Sequence, residues 1–269
     1  MNARPNEPVP PVSRMLAPSS MFTLRVGLTT GCAIMASVRV NAVIQARMSS
    51  TRLPGKVLRD LGGRPVLDWV VRAAHRAAVD RVIVATSDDP SDDPIALAAD
   101  AEVVRGPLDD VLARFLMAAD RFPCDAVLRL TADCPLLDPG VLDQVVGLWR
   151  ADPSVDYVSN TLVRTMPRGY DAEVVRTDVL FAQAAVPDGP HREHVTSGVY
   201  TDPRYRCAGV VASPDASDLR VTLDTPEDAA VIETVVAALG EPRMRDVVAY
   251  LRAHPSVAAR NAHVEQASP

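Results

Sequence analysis

The sequence predicts an α/β protein with a doubly wound, mostly parallel sheet, folded as a single domain. From residue 40 onwards, short β-branched runs alternate with amphipathic helical segments, as in successive strand–helix–strand units. A polar loop directly follows the first of these runs, at the sheet edge where folds of this class bind ligands. The length of 269 residues is sufficient for a core that needs neither disulfides nor a structural metal.

Three strands are predicted in the first half of the chain, at residues 40–44, 81–86 and 126–131, where short β-branched and aliphatic runs occur. Helices are predicted between and after these strands, at residues 66–79, 94–101, 109–122 and 139–150. Pro94 suits a helix start, because its fixed φ and missing N–H are tolerated at the first helical position. Asp109 and Asp110 suit a helix start because carboxylates interact favourably with the positive end of the helix dipole.

The pattern is less regular in the second half of the chain. Strands are predicted at residues 157–159, 172–175, 208–211 and 219–223, and helices at residues 177–185, from about 192, at 226–239 and at 243–253. Residues 1–37 lack periodicity, which predicts a disordered extension or a start codon assigned too early. Residues 256–269 are predicted to be a flexible tail, which leaves residues 38–255 as the folded domain.

Composition and charge exclude several classes of protein. The net charge of −6 argues against a non-specific nucleic-acid binder, which needs a basic face. No apolar run approaches the roughly 20 residues of a membrane span. The four cysteines form no C-x-x-C pair and have no histidines at zinc spacing, which indicates reduced thiols in a cytoplasmic protein.

The loop over residues 45–56 carries the cations Arg47, Arg52 and Lys56 together with three hydroxyl side chains, including that of Ser50. It contains neither the G-x-G-x-x-G pattern of dinucleotide-binding turns nor the P-loop pattern. Backbone amides and hydroxyls of such a loop donate to phosphate oxygens while its cations neutralise their charge. The loop therefore suits a triphosphate, and the alternative is a solvated polar loop.

Two aspartates follow predicted strands, Asp133 after residues 126–131 and Asp224 after residues 219–223. Carboxylates at strand ends on one edge of a sheet can converge, and Mg²⁺ binds one or two carboxylates together with phosphate oxygens. Each aspartate also has a structural interpretation. Asp133 could form a turn, and Asp224 or Thr225 could cap the helix at residues 226–239.

The string ARMSSTRLPGKVL at residues 46–58 carries a family resemblance. It resembles the signature loop of the cytidylyltransferases that activate the acid sugars Kdo and sialic acid, and more closely that of the SpsF-like cytidylyltransferases of spore-coat polysaccharide synthesis. The similarity continues through residues 61–67, 84–88, 105–106, 109–112 and 159–161. The resemblance implies a Rossmann-like fold of the nucleotide-diphospho-sugar transferase (GT-A) type.

The resemblance also implies roles for individual residues. Asp133 and Asp224 are the expected magnesium ligands, and Arg47 and Lys56 are expected to act with them in catalysis. The expected nucleotide-binding residues are Ala46, Arg47, Ser50, Arg52, Lys56, Asp88 and Asp110. For the neighbouring Asp109, a helix cap is at least as good an interpretation. The expected acceptor-binding residues are Asp171, Arg192 and His194.

The predicted reaction is transfer of CMP from CTP to a sugar, a sugar acid or a related acceptor, with Mg²⁺ as cofactor and pyrophosphate as leaving group. Its expected setting is the biosynthesis of a polysaccharide, a cell-surface glycan or a secondary metabolite. One alternative is a GT-A glycosyltransferase that uses a finished nucleotide sugar, and another is an inactive nucleotide-binding protein. Related enzymes are often dimers, so a homodimer is compatible with the resemblance.

Overall fold

A seven-stranded sheet forms the centre of the computed structural model, which describes residues 38–185, 187 and 189–265. Its strands in chain order are β1 (Val40–Gln45), β2 (Arg81–Ser87), β3 (Glu102–Gly106), β4 (Ala126–Thr131), β5 (Tyr157–Ser159), β6 (Glu173–Arg176) and β7 (Cys207–Gly209). Their order across the sheet is β3-β2-β1-β4-β6-β5-β7.

Most neighbouring strands of this sheet are parallel. β1 lies parallel to β2 and β4, and β3 lies parallel to β2. β6 runs antiparallel to both β4 and β5, and β7 runs parallel to β5. The predicted mostly parallel sheet is therefore confirmed, and the carboxyl ends of β1, β2 and β4 share one edge.

Helices connect and flank the strands. They are α1 (Val66–His75), α2 (Asp93–Ala98), α3 (Val111–Arg121), α4 (Pro139–Ala151), α5 (Thr177–Ala182), α6 (Pro190–His194), α7 (Ser197–Tyr200), α8 (Pro226–Leu239), α9 (Met244–Ala253) and α10 (Pro255–Ala258). Short 3₁₀ turns occur at Lys56–Leu58, Pro90–Asp92 and Gln183–Ala185.

Both faces of the sheet are covered, as a doubly wound fold requires. Alternate residues of β1 point to opposite faces, so Ala42 and Ile44 pack with α1 and α4 while Val43 packs with α3. A third apolar cluster joins α8 and α9 to Trp69 of α1. These three clusters hold the strand ends of the carboxyl edge in fixed relative positions.

Two predictions about strands were wrong. β3 was not predicted, because its apolar residues Val103 and Val104 are flanked by Glu102 and Arg105 and its place at the sheet edge leaves it partly exposed. Residues 219–223 form no strand, and within the described part of the chain their ladder contact is an isolated bridge between Arg168 and Arg220. The segment is held instead by two backbone hydrogen bonds with residue 168 and one with Asp133 in the loop after β4.

Several helix bounds also differ from the prediction. α1 ends at His75, four residues earlier than expected, and α6 begins at Pro190. The predicted extension at residues 1–37 lies outside the described residues. Near the carboxyl terminus, α10 follows α9 directly, and Val257 and Asn261 are buried, so the predicted tail boundary at residue 256 falls within packed structure.

Within the part of the chain that the structure describes, no helix is both long and apolar enough to cross a membrane.

Candidate active site

The loop after β1 folds back on itself. The amide of Gly55 donates to the carbonyl of Met48 at 3.0 Å, and Gly55 has a φ of +70°, which glycine adopts without strain. The amide of Met48 donates to the carboxylate of Asp92 at 2.6 Å. These bonds fix both ends of the loop, and they start the 3₁₀ turn that carries Lys56.

Lys56 lies between the two predicted metal ligands. Its ammonium donates to Asp133 Oδ2 at 2.7 Å and to Asp224 Oδ1 at 2.5 Å. Arg52 and Arg220 also reach Asp224 Oδ2, at 3.0 and 3.2 Å. The structure therefore brings both aspartates and two of the three predicted phosphate-loop cations into one cluster.

Backbone contacts explain why the two aspartates converge. The amide of Leu223 donates to the carbonyl of Asp133 at 2.8 Å, which joins the segment before Asp224 to the loop after β4. The hydroxyl of Thr225 accepts from the amide of Asp228 and caps α8, so the cap is Thr225 and not Asp224. Asp224 is left with its carboxylate directed at Lys56.

Electrostatics keep this cluster ionised. Burial lowers the pKa of Lys56, but the negative charges of Asp133 and Asp224 outweigh burial and raise the pKa above its ordinary value. Burial raises the pKa of Asp133, but Lys56 outweighs it through charge and hydrogen bonding, so the pKa falls below its ordinary value. At neutral pH the lysine is therefore a cation and Asp133 an anion.

The short helix α6 contacts the loop after β1 and the start of α3. Arg192 donates to Asp110 from Nε at 2.9 Å and from Nη2 at 2.5 Å, and Arg47 pairs with Glu193 at 3.4 Å. Asp110, and not Asp109, caps α3 by accepting from the amide of residue 113. Burial raises the pKa of Asp110, but its hydrogen bonds and the charge of Arg192 have the larger combined effect. The pKa of Asp110 is therefore below its ordinary value.

Three other predicted nucleotide-binding residues lie around this loop without joining the cluster. Ala46 is buried, and its amide donates to the carbonyl of Ala85. The hydroxyl of Ser50 accepts weakly from the amide of Leu53 at 3.4 Å. Asp88 is exposed at the end of β2. Their predicted role with nucleotide stays a prediction.

A pocket of about 410 Å³ opens beside Asp133 and contains two of the three predicted acceptor-binding residues. Asp171 lies in its wall and accepts a two-pronged pair from Arg164, at 2.7 and 2.8 Å. His194 is also in the wall, and burial holds its pKa below the ordinary value. Arg192 is absent from the wall residues and contacts Asp110 instead.

Sequence reasoning missed a buried ion pair in the floor of this pocket. Arg129 of β4 pairs with Glu173 of β6, and Glu173 also accepts from the hydroxyls of Tyr157 and Thr196. A charged residue inside the apolar run of β4 was the available signal, because buried charges need partners. Asp171 and Glu173 contact different arginines, Arg164 and Arg129.

Comparisons with known proteins show the family of this chain. A family model described as cytidylyltransferase matches residues 41–173. The spore coat polysaccharide biosynthesis protein SpsF of Bacillus subtilis is 33% identical over 74% of this chain and 87% of its own length. The chain belongs to the cytidylyltransferase family.

Two further relatives of this cytidylyltransferase span the same domain. The 3-deoxy-manno-octulosonate cytidylyltransferase of Maricaulis maris is 31% identical over 75% of this chain and 98% of its own length. A solved cytidylyltransferase structure from Leptospira borgpetersenii is 28% identical and covers 85% of this chain and all of its own, with a TM-score of 0.80. The predicted reaction class, CTP-dependent cytidylyl transfer, and the relation to acid-sugar cytidylyltransferases are confirmed, and the glycosyltransferase alternative is set aside.

Proposed function

We propose that this cytidylyltransferase transfers CMP from magnesium-bound CTP to a sugar-type acceptor that carries a carboxylate or a phosphate. The observation that carries the proposal is the position of Lys56 between Asp133 and Asp224, at the mouth of a pocket rich in arginine. An acceptor oxygen attacks the α-phosphorus of CTP, and the new O–P bond forms as the bond to pyrophosphate breaks.

The residues present fit a divalent cation. Oxygens of Asp133 and Asp224 already lie 2.7 and 2.5 Å from one cationic atom, the Lys56 ammonium. Carboxylate oxygens are the ligands that Mg²⁺ prefers, so these two aspartates would hold it. A bound Mg²⁺ supplies charge neutralisation for the phosphate oxygens.

The loop cations have a second partner available when nucleotide binds. Arg47, Arg52 and Lys56 each contact a carboxylate. A triphosphate carries several negative charges, and charge-assisted hydrogen bonds to phosphate are among the strong ones. We infer that these three side chains exchange carboxylate contacts for phosphate contacts and thereby orient the pyrophosphate as leaving group.

The pocket supports an anionic acceptor. Arg164 is neutralised by Asp171 and Arg129 by Glu173, whereas within the described residues the guanidinium of Arg168 has no ion pair. Burial and the neighbouring charge of Arg164 lower the pKa of Arg168 from its ordinary value, which an anion would reverse. A carboxylate or phosphate on the acceptor is the partner that this cation lacks.

The relatives indicate a setting for this reaction. One acts on 3-deoxy-manno-octulosonate by its name, and another by its name belongs to spore coat polysaccharide biosynthesis. We infer a role in making a polysaccharide or cell-surface glycan. Because CTP is a cytoplasmic metabolite, the cytoplasm is the proposed compartment.

The first experiment is pyrophosphate release with Mg²⁺, in which each of the four NTPs is offered with 3-deoxy-manno-octulosonate, sugar phosphates and neutral hexoses. Release is expected with CTP alone and with anionic acceptors alone. In Arg168→Gln, the acceptor KM should rise about tenfold, since a charged hydrogen bond contributes roughly 1.5–3 kcal/mol, while the CTP KM is unchanged.

Arg206→Gln is the matched control, because Arg206 is exposed and lies outside the pocket. Equal use of neutral hexoses, or an acceptor KM that is the same in the Arg168 variant and the control, would contradict an anionic acceptor. Release with another NTP in preference to CTP would contradict the nucleotide assignment.

A further inference from the structure

A buried carboxylate lies directly behind Asp224. Asp228 is fully buried and accepts from Arg220 Nε at 2.8 Å and from Arg220 Nη2 at 3.0 Å. It also accepts from the amides of Asp224 and Thr225, at 3.0 and 3.1 Å. Asp228 is thus bonded to both the backbone of Asp224 and the arginine that contacts the Asp224 carboxylate.

The segment after α10 adds the last member of this network. Asn261 is buried, and its side-chain amide donates to Asp228 Oδ1 at 2.8 Å and to the carbonyl of Arg220 at 3.1 Å. The same segment meets the phosphate loop, because the carbonyl of Glu265 accepts from Arg52 at 3.1 Å. This segment therefore contacts the two arginines that donate to the Asp224 carboxylate.

Helix capping does not account for this arrangement. The reciprocal bonds between Thr225 and Asp228 already satisfy the start of α8. Arg220 and Asn261 add nothing to that cap, yet both are buried and both are bonded to Asp228. Asp228 and Asn261 instead restrain Arg220, whose Nη2 donates to the carboxylate of Asp224 at 3.2 Å.

We propose that Asn261 is a positioning residue, which acts through Asp228 and Arg220 to hold the Asp224 carboxylate in place for the metal–nucleotide complex. The inference rests on the proposed metal site. Groups that orient a metal ligand by hydrogen bonding change metal affinity when removed, although they never touch the metal. The carboxyl-terminal segment is therefore part of the active site and not a separate appendage.

The test is Mn²⁺ affinity in the presence of CTP, measured by electron paramagnetic resonance on the full chain, for the wild type and Asn261→Leu. Loss of one outer hydrogen-bond partner is expected to weaken Mn²⁺ binding about tenfold. Val257→Ala is the matched control, since Val257 is buried in the adjacent α10 and its apolar side chain makes no hydrogen bond to Asp228 or Arg220. It should lower the Tm and leave Mn²⁺ affinity unchanged.

Asn261→Ser, which replaces the amide donor with a hydroxyl donor, should bind Mn²⁺ with intermediate affinity, and it serves as the test if the leucine variant does not fold. Mn²⁺ affinity equal to wild type in a folded Asn261 variant would overturn the positioning role alone. Absence of Mn²⁺ binding by the wild type with CTP would overturn the proposed metal site and this inference with it.

Discussion

The two halves of the active-site cleft differ in how their positive charges are neutralised. The nucleotide half comprises β1–β4 and their loops, and its cations Arg47, Arg52 and Lys56 all contact carboxylates. The acceptor half comprises β5–β7 and residues 160–224 outside these strands, and among its described residues Arg168 lines the pocket without an ion pair.

The partners of the nucleotide-half cations come largely from the acceptor half. Glu193 and Asp224 lie in the acceptor half, so the contacts of Arg47, Arg52 and Lys56 with them join the halves across the cleft. These contacts occupy the positions at which phosphates and metal are proposed to bind. Under the proposed function, nucleotide would replace existing ion pairs, whereas an anionic acceptor would add a missing one.

The largest loss of stability is expected from Gly169→Ala, which should disrupt the acceptor half. Gly169 has a φ of +107°, and an added Cβ would lie 2.6 Å from the carbonyl carbon of Val221. Backbone strain of this kind costs roughly 1–3 kcal/mol, and the backbone clash adds to it. We expect a loss of about 3 kcal/mol in the free energy of unfolding, measured by denaturant titration.

Gly147→Ala is the control, because Gly147 lies within α4 and an added Cβ meets no atom within 4 Å. Alanine in a helix should stabilise the protein by about 0.5–1 kcal/mol. Equal stability of the Gly169 variant and the wild type would show that the close contact between residues 169 and 221 is not needed.

A more moderate effect is expected at acid pH, where the nucleotide half should lose the stability that the Asp133 carboxylate contributes. The pKa of Asp133 is lowered by Lys56 in the folded protein, so this carboxylate binds protons less readily than in the unfolded chain. Its contribution to stability is therefore complete above the unfolded pKa of about 4 and declines as the pH falls through the lower, folded value.

Thermal unfolding of the wild type and Asp133→Asn between pH 2 and pH 6 measures this contribution. The Tm difference between them should shrink as the pH falls below about 4, because the wild-type carboxylate then becomes neutral too. Asp120→Asn, at an exposed position of α3, should keep a constant and small difference. A constant difference for Asp133→Asn would contradict its ionised pairing with Lys56.

The nucleotide half was the more predictable half because its strands and its polar loop are continuous in sequence. The composition of residues 45–56 suits a phosphate-binding loop, with a solvated polar loop as the alternative, and β1, β2 and β4 coincide with mostly apolar runs. The convergence of Asp133 and Asp224 was expected from two parallel strands that end at one edge. Residues 219–223 form no strand, however, and the hydrogen bond from the amide of Leu223 to the carbonyl of Asp133 brings the two aspartates together instead.

The acceptor half could not be predicted in the same way. Residues 219–223 have a strand-like apolar alternation, but they are held by isolated contacts to Arg168 and Asp133. The pairing of Arg129 with Glu173 and the placement of Asn261 behind Asp224 depend on tertiary contacts between segments 44 and 33 or more residues apart. The local sequence around such a side chain does not predict its buried partner.

The smallest effect is expected from Glu193→Gln. The Arg47–Glu193 pair has a separation of 3.4 Å, and its side chains are 45% and 55% exposed. Exposed pairs contribute roughly 0–1 kcal/mol, so freeing Arg47 should tighten CTP binding by no more than about fivefold and leave the Tm unchanged.

The matched control is Glu233→Gln, which removes a similarly exposed partner of Arg59 away from the phosphate loop. Calorimetric titration with CTP should detect tighter binding in the Glu193 variant alone. Weaker CTP binding in that variant would show that Glu193 assists nucleotide binding and does not compete with it.

The Asp133–Lys56–Asp224 cluster is proposed to bind the metal–nucleotide complex. Measuring CTP affinity with and without Mg²⁺, in the wild type and in Asp133→Asn, tests this most directly. Calorimetry should show tighter CTP binding by the wild type when Mg²⁺ is present. The variant should bind CTP with the same affinity under both conditions, because one of the two proposed ligands has lost its charge. An equal gain in CTP affinity from Mg²⁺ in the folded variant would show that Asp133 does not hold the metal of the metal–nucleotide complex.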